Sequence, residues 1–283
     1  MTFDNIVDTE TASEHLEDPA WRFIDCRFDL ADTEAGREAY RKSHIPGALY
    51  AHLDEDLSHQ HLSGQGRHPL PSQDELISTF TRWGIDPDTQ VVCYDRQQNA
   101  IAARLWFLLR WMGHERVAVL DGGWDKWLHE KHPTTHDTPP VAAREFQARE
   151  ALVATITAEE IMQPMDDELQ IIDVRGAQRF AGEEEPTDPV AGHIPGAINL
   201  PYPKNLDAHD CFLPAEALQA MYQRIFQDTP ASRSVFMCGS GVTACHSLIA
   251  LHIAAIPGAR LYAGSWSDWI QDPARPVEIG LDV

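Results

Sequence analysis

The sequence predicts an α/β protein written twice: two homologous domains, each a mostly parallel central sheet with helices on both faces. Three observations carry this. Ordered motifs return at nearly constant spacing. Asp25-x-Arg27 recurs as Asp173-x-Arg175, His44-Ile-Pro-Gly-Ala as His193-Ile-Pro-Gly-Ala, and the Trp124/Trp127 pair as Trp266/Trp269, respectively 148, 149 and 142 residues later. Within each half, apolar runs of strand length alternate with segments of helix length, the pattern of a parallel sheet with crossover helices. Between the halves, "KHPTTHDTPPVAAREFQARE" is proline-rich and then polar, as a linker is. Residues 1–135 and 153–283 are therefore the two domains, with 136–152 between them.

Taken in chain order, "WRFIDCRFDL" opens with a strand that carries Asp25 and Arg27. "SHIPGALY" follows as a turn, with His44 and its counterpart His193 holding that turn through hydrogen bonds. "VVCYD" (91–95) is β-rich and of strand length, and it leads into the helix-forming "NAIAARLWFLLRWMG". "RVAVLDGG" is the next strand, and the tryptophans after it pack a helix onto the sheet. The second half repeats the series with "LQIIDVRGAQRF", "GHIPGAINL", "SVFMC" (234–238), "VTACHSLIALHIAA" and "ARLYAGS". Trp266 could also line the mouth of a pocket.

Composition excludes several function classes. The 283 residues carry 22 Lys and Arg against 44 Asp and Glu, a formal charge of −22, and no long basic run offsets it. Nucleic acid and anionic membrane are poor partners for such a surface, and an anionic substrate needs a local cationic pocket. No apolar run approaches the roughly 20 residues that span a bilayer. The acidic N-terminal stretch lacks the basic and apolar regions of a signal peptide. Cys26, Cys93, Cys211, Cys238 and Cys245 form an odd, widely spaced set without a C-x-x-C pair. Free thiols in a reducing cytoplasm are expected, and no ligand cluster suggests a metal or another cofactor. Cys26 and Cys93 fall in strands and read as core thiols, whereas Cys211 reads as the surface thiol.

Cys238 ends the apolar strand "SVFM" and is followed by Gly239-Ser240-Gly241, with helix composition from Val242 onward. In α/β sheets functional groups gather at the carboxyl ends of strands. Glycines there let backbone N–H groups converge, and the following helix adds its positive end, so the thiolate, the reactive form, is favoured. A buried strand-end cysteine packed as a small apolar side chain is the other reading. A nucleotide-binding loop fails for want of G-x-x-x-x-G-K-[ST]. A cysteine phosphatase needs an arginine soon after its thiol, and "CGSGVTACHS" has none. Sulfur transfer needs only a thiolate and an amide cradle for the resulting persulfide.

The loop "CGSGVTA", both His-Ile-Pro-Gly-Ala segments, the paired Asp-x-Arg strands and the tryptophan pairs together resemble the tandem-domain rhodanese family of sulfurtransferases, over essentially the whole chain. The resemblance implies that both domains are rhodanese-like, that the second holds the catalytic cysteine, and that the first is an inactive copy. "VVCYDRQQNA" then aligns with "VFMCGSGVTA", setting Asp95 opposite Cys238. The family's loops divide by donor, and Cys-Gly-Ser-Gly-Val-Thr is similar to the branch that acts on 3-mercaptopyruvate. Thiosulfate enzymes typically carry cations in this loop.

By that resemblance Cys238 is the nucleophile, the amides of Gly239, Gly241, Val242 and Thr243 cradle the persulfide, and Arg179 clamps the donor anion. Arg175 reads instead as half of a structural ion pair. The branch's second arginine is missing from "FAGEEEPTDPVAGH", where Asp188 is the nearest counterpart. "GQGRHPLPSQDEL" is similar to the segment that lends a histidine to the pocket, so His68 is expected to pair with Ser240 in a proton relay. Arg67 is a further candidate cation, and Asp56 the nearest acid to support His68. Cys245, on the next helix, reads as a core residue or as a disulfide partner for Cys238. The implied partners are a small-molecule sulfur donor and a thiol, thioredoxin or cyanide acceptor. A sulfur carrier that docks on a protein partner would use the same loop.

Overall fold

Each half of the chain closes its own five-stranded sheet. The computed structural model describes residues 2–59, 65–138, 140–163 and 169–280. In the first half the strands are β1 (Ile6–Val7), β2 (Trp21–Asp25), β3 (Leu49–Tyr50), β4 (Gln90–Tyr94) and β5 (Val117–Leu120), all parallel in the order β1-β5-β4-β2-β3. The second half repeats that order with β6 (Ala154–Ile156), β7 (Gln170–Asp173), β8 (Ile198–Asn199), β9 (Ser234–Met237) and β10 (Arg260–Tyr262), as β6-β10-β9-β7-β8, again all parallel. The expected fold class is the observed one.

Helices cover both faces because both faces of the strands are apolar. In the first half α1 (Thr9–Glu14), α2 (Ala35–Lys42), α3 (Gln73–Arg82), α4 (Ala102–Trp111) and α5 (Gly123–His129) accompany the sheet. Phe23, Val92, Tyr94, Ala118 and Leu120 share one core with Ala12 of α1 and with Trp124 and Trp127 of α5. Cys93, one residue out of phase, points its thiol to the carbonyl of Ala102 in α4 at 3.4 Å, on the opposite face. The second half has α6 (Ala158–Met162), α7 (Ala177–Ala181), α8 (Ala215–Phe226), α9 (Ala244–Ile253) and α10 (Ser265–Trp269). Val235, Met237 and Tyr262 pack with Phe180, Trp266 and Trp269, while Phe236 meets Tyr222 and Phe226 of α8. The tryptophans bind helix to sheet, as their spacing predicts. Trp266 is fully buried under Arg175 and does not line a pocket mouth.

The repeat extends to individual contacts. Arg27 donates to Asp25 at 2.6 Å and lies 4.5 Å over Trp124, and Arg175 donates to Asp173 at 2.7 Å and lies 4.7 Å over Trp266. His44 bonds the Tyr40 carbonyl at 2.7 Å and stacks on its ring, as His193 does with Phe180 at 2.8 Å. Both histidines fix turns.

The two compact units are not simple halves of the sequence. The first comprises Met1–His59, Leu70–Leu152 and Asp207–Phe212; the second comprises Gln60–Pro69, Val153–Leu206 and Leu213–Val283. Hydrogen bonding explains the transfer of the segment before Pro69: the Arg67 amide donates to Ser267 Oγ at 3.0 Å. Residues 136–152 have neither helix nor strand where described, yet they lie on the first unit, with Phe146 buried 4.9 Å from Phe80 and its amide donating to Thr81.

Candidate active site

β9 delivers Cys238 to the carboxyl end of the second unit's sheet, at its central strand. The cysteine amide donates to Ser265 Oγ at 3.0 Å, and its carbonyl accepts from the Trp266 amide at 3.1 Å, so the start of α10 holds it on both sides. The thiol is buried, and Sγ accepts from the Gly241 N–H at 3.2 Å. Gly241 has φ +76°, and a β-carbon there would stand 2.1 Å from the Ala263 carbonyl oxygen, so glycine alone closes this turn. Val242 and Thr243 then lead into α9, whose N-cap residue Thr243 makes no side-chain capping bond. The helix's positive end lies at the end of the loop.

The first unit holds a carboxylate in the corresponding cradle. Asp95 follows β4 as Cys238 follows β9, and its carbonyl accepts from the Trp124 amide at 2.9 Å. Its buried carboxylate accepts from the amides of Gln97, Asn99, Ile101 and Ala102 at 2.7–2.8 Å, capping α4. Burial pushes this carboxyl up to about 6, against the opposing pull of the four amides. The four amides there point at a carboxylate and not at a thiol.

Beside Cys238, Ser240 Oγ lies 2.7 Å from His68 Nδ1, and both side chains are buried. Two guanidinium groups face the loop at Gly239. A β-carbon on that glycine would be 3.0 Å from Arg67 Nη2 and 3.5 Å from Arg179 Nη1. Arg179, on α7, donates from Nη2 to Glu185 Oε1 at 2.7 Å and to Asp188 Oδ2 at 3.2 Å. Arg67 donates to the other oxygen, Asp188 Oδ1. Burial raises the Glu185 carboxyl, but Arg179 and the amides of Asp188 and Thr187 outweigh it and hold the group below the usual carboxylate range. Asp188 is the reverse case: burial wins over Arg67 and Arg179 and lifts its carboxyl above the usual value.

Cys238, Ser240, His68, Gly239, Gly241 and Arg179 therefore come together, with Val242 and Thr243 at the entry to the helix. Arg67 joins them. Asp56 belongs to the first unit, where its two oxygens accept from Arg82 at 2.7 Å and from the His52 amide at 2.9 Å. Residues 60–64 lie outside the described residues. Cys245 is a buried free thiol that donates to the Gly241 carbonyl at 3.3 Å, which supports the loop from behind. Cys26 and Cys93 are buried, and Cys211 is half-buried, with burial pushing its thiol up to about 12. Sequence reasoning missed Ser265, whose substitution for the first copy's Gly123 was the available signal, and Glu185, one of three consecutive glutamates.

A rhodanese-like domain matches the chain twice, over residues 8–130 and 157–272. The chain belongs to the rhodanese family. This rhodanese is 41% identical over 283 residues to a Pseudomonas aeruginosa protein named "Probable 3-mercaptopyruvate sulfurtransferase", a match that covers 99% of this chain and 100% of that protein. It is 32% identical to the thiosulfate sulfurtransferase of Gallus gallus, over 88% of this chain and 86% of the relative. Among solved structures, 3-mercaptopyruvate sulfurtransferase from Leishmania major superposes with a TM-score of 0.82 at 30% identity, covering 93% of this chain and 73% of that one. The protein is a tandem rhodanese sulfurtransferase.

Proposed function

We propose that this rhodanese takes sulfane sulfur from 3-mercaptopyruvate onto Cys238 and passes it to a thiol such as thioredoxin or a small thiol, or to cyanide. The hydrogen bond between His68 and Ser240, two residues after Cys238, carries the choice of donor. With 3-mercaptopyruvate, the Cys238 thiolate attacks the donor's thiol sulfur and forms an S–S bond. The donor's C–S bond breaks, and its electron pair leaves on pyruvate enolate. The proton of the donor thiol must reach that enolate, and a hydroxyl bonded to an imidazole is a carrier for it. Cys238 is left as a persulfide, whose terminal sulfur rests against the loop amides. The acceptor thiolate then takes that sulfur and returns Cys238 as a thiolate.

Arg179 orients the donor carboxylate by bidentate geometry. Nucleophile, proton carrier and anion clamp are all side chains of this chain, so neither step calls on a metal or an organic cofactor. The first unit is a non-catalytic copy, its cradle filled by Asp95. Free thiols at all five cysteines suit a reducing compartment, which we take to be the cytoplasm. No helix of the described residues is long and apolar enough to cross a membrane.

One observation favours a second reading. Two guanidinium groups at Gly239 also suit dianionic thiosulfate, whose transfer moves no proton. Side-by-side kcat/KM for the two donors, in the wild type and in Cys238→Ala, decides between them. A preference for 3-mercaptopyruvate that vanishes with the thiol is the expected result. Preference for thiosulfate, or full turnover without Cys238, would overturn the reading.

A further inference from the structure

The cations of the site are already matched. Arg67 and Arg179 are the two guanidinium groups nearest Gly239, and Asp188 offers one oxygen to each of them. Glu185 also accepts from Arg179, from Nε at 3.2 Å and Nη2 at 2.7 Å. A bridging carboxylate with one oxygen on each of two guanidinium groups is the arrangement that a bound donor anion would itself adopt. Asp188 is also ill at ease there, since burial lifts its carboxyl even with both cations beside it. Arg67 Nε, for its part, is buried with no hydrogen-bond partner among the described residues. Its backbone is nevertheless fixed, through the amide bond to Ser267.

We propose that Arg67 is the second anion-binding residue of the donor site and that Asp188 is a resident carboxylate competing with the donor for Arg67 and Arg179. The inference rests on the reading of this loop as the donor site and deepens it. Donor binding swaps one carboxylate for another: the Asp188 oxygens leave the two guanidinium groups and the donor's anionic oxygens replace them. The swap weakens every anionic donor, and it weakens the dianion most, because a second negative charge must approach an Asp188 that stays nearby. Asp188 thus tilts selection toward a monoanionic carboxylate over thiosulfate. This is specificity by a repulsive element, in a pocket whose two arginines alone would favour the dianion.

Binding can be read without turnover in the full-length chain carrying Cys238→Ala. Calorimetric titration with thiosulfate and with pyruvate compares this chain with its Asp188→Asn, Arg67→Gln and doubly substituted forms, each checked for an unchanged thermal melt. A variant that fails to melt like its parent is replaced by Asp188→Ser or Arg67→Lys. Asp188→Asn is expected to tighten thiosulfate about tenfold and pyruvate less. Arg67→Gln is expected to weaken both about tenfold, as loss of a charged hydrogen bond does. The gain from Asp188→Asn should shrink when Arg67 is gone, because part of it acts through that side chain. Unchanged affinity in Arg67→Gln, or weaker binding in Asp188→Asn, would overturn the proposal, the latter by making Asp188 a brace for the arginines. Failure of the sulfur-transfer reading looks different: the expected anion affinities would persist while the Cys238 chain acquired no sulfur from either donor.

Discussion

Ser240 and His68 matter because the two donors differ by one proton. 3-Mercaptopyruvate must move a proton from its thiol to the departing enolate, and thiosulfate has none to move. Ser240→Ala should therefore lower kcat with 3-mercaptopyruvate about 100-fold while leaving thiosulfate turnover within about threefold. Equal losses on both donors, measured by steady-state kinetics, would make Ser240 a support of the loop instead. Asp95 offers a test in the first unit. Its folded carboxyl, raised to about 6 against an ordinary 3.8, binds its proton more readily than in the unfolded chain. Its contribution to stability is thus fullest below the ordinary value and is lost as pH rises through 6. The Asp95 carboxyl carbon resonance should titrate near pH 6, and Asp95→Asn should remove that part of the pH slope in urea unfolding. A midpoint near 4 would contradict the burial argument. Cys238 and Ser240 were legible in the loop letters, and Arg179 through the family resemblance. The Asp188 bridge was not, since an ion pair between Arg67 and a residue 121 positions away is set by folding alone. Nor does nearness along the chain say that Arg82 donates to Asp56.

Turns and strand ends are where the sequence constrains the elements most tightly. Gly241 and Gly196 both sit at positive φ, +76° and +75°, but a β-carbon at Gly196 meets nothing within 4 Å whereas one at Gly241 meets the Ala263 carbonyl. Gly196→Ala should cost about 1 kcal/mol through backbone strain, and Gly241→Ala distinctly more, with loss of sulfur transfer. Similar melting points for the two variants would mean that the loop can yield. The strand ends carry a buried ion pair in each unit. Arg27→Met leaves the Asp25 carboxylate buried without its cation, and should destabilise the first unit by about 3–5 kcal/mol in urea unfolding. Replacing both partners by apolar residues should recover much of that loss, and failure to recover it would show that the pair's geometry itself is needed. These pairs were readable as Asp-x-Arg. The two-residue strands β1, β3 and β8 were not, because two residues display no period.

Duplication explains both what the whole molecule shows and what its sequence could reveal. One strand order is built twice, and the same histidine turn, ion pair and tryptophan packing recur in both copies, so constant spacing was enough to expose the fold. The copies part at one loop. In the first, a carboxylate caps the helix and fills the amide cradle; in the second, a thiol takes the strand end and accepts from the Gly241 amide. The segment ending at Pro69 was harder to place, since it lies inside the first repeat by sequence yet is hydrogen-bonded within the second unit. The central claim is that the second loop holds sulfur on Cys238. Its most direct test is the intact mass of the full chain after brief exposure to 3-mercaptopyruvate without acceptor, followed by peptide mapping. The account predicts one extra sulfur per chain, on the peptide containing Cys238, absent from Cys238→Ala and discharged by a thiol; an unchanged mass, or sulfur carried on Cys211 or another cysteine, would contradict it.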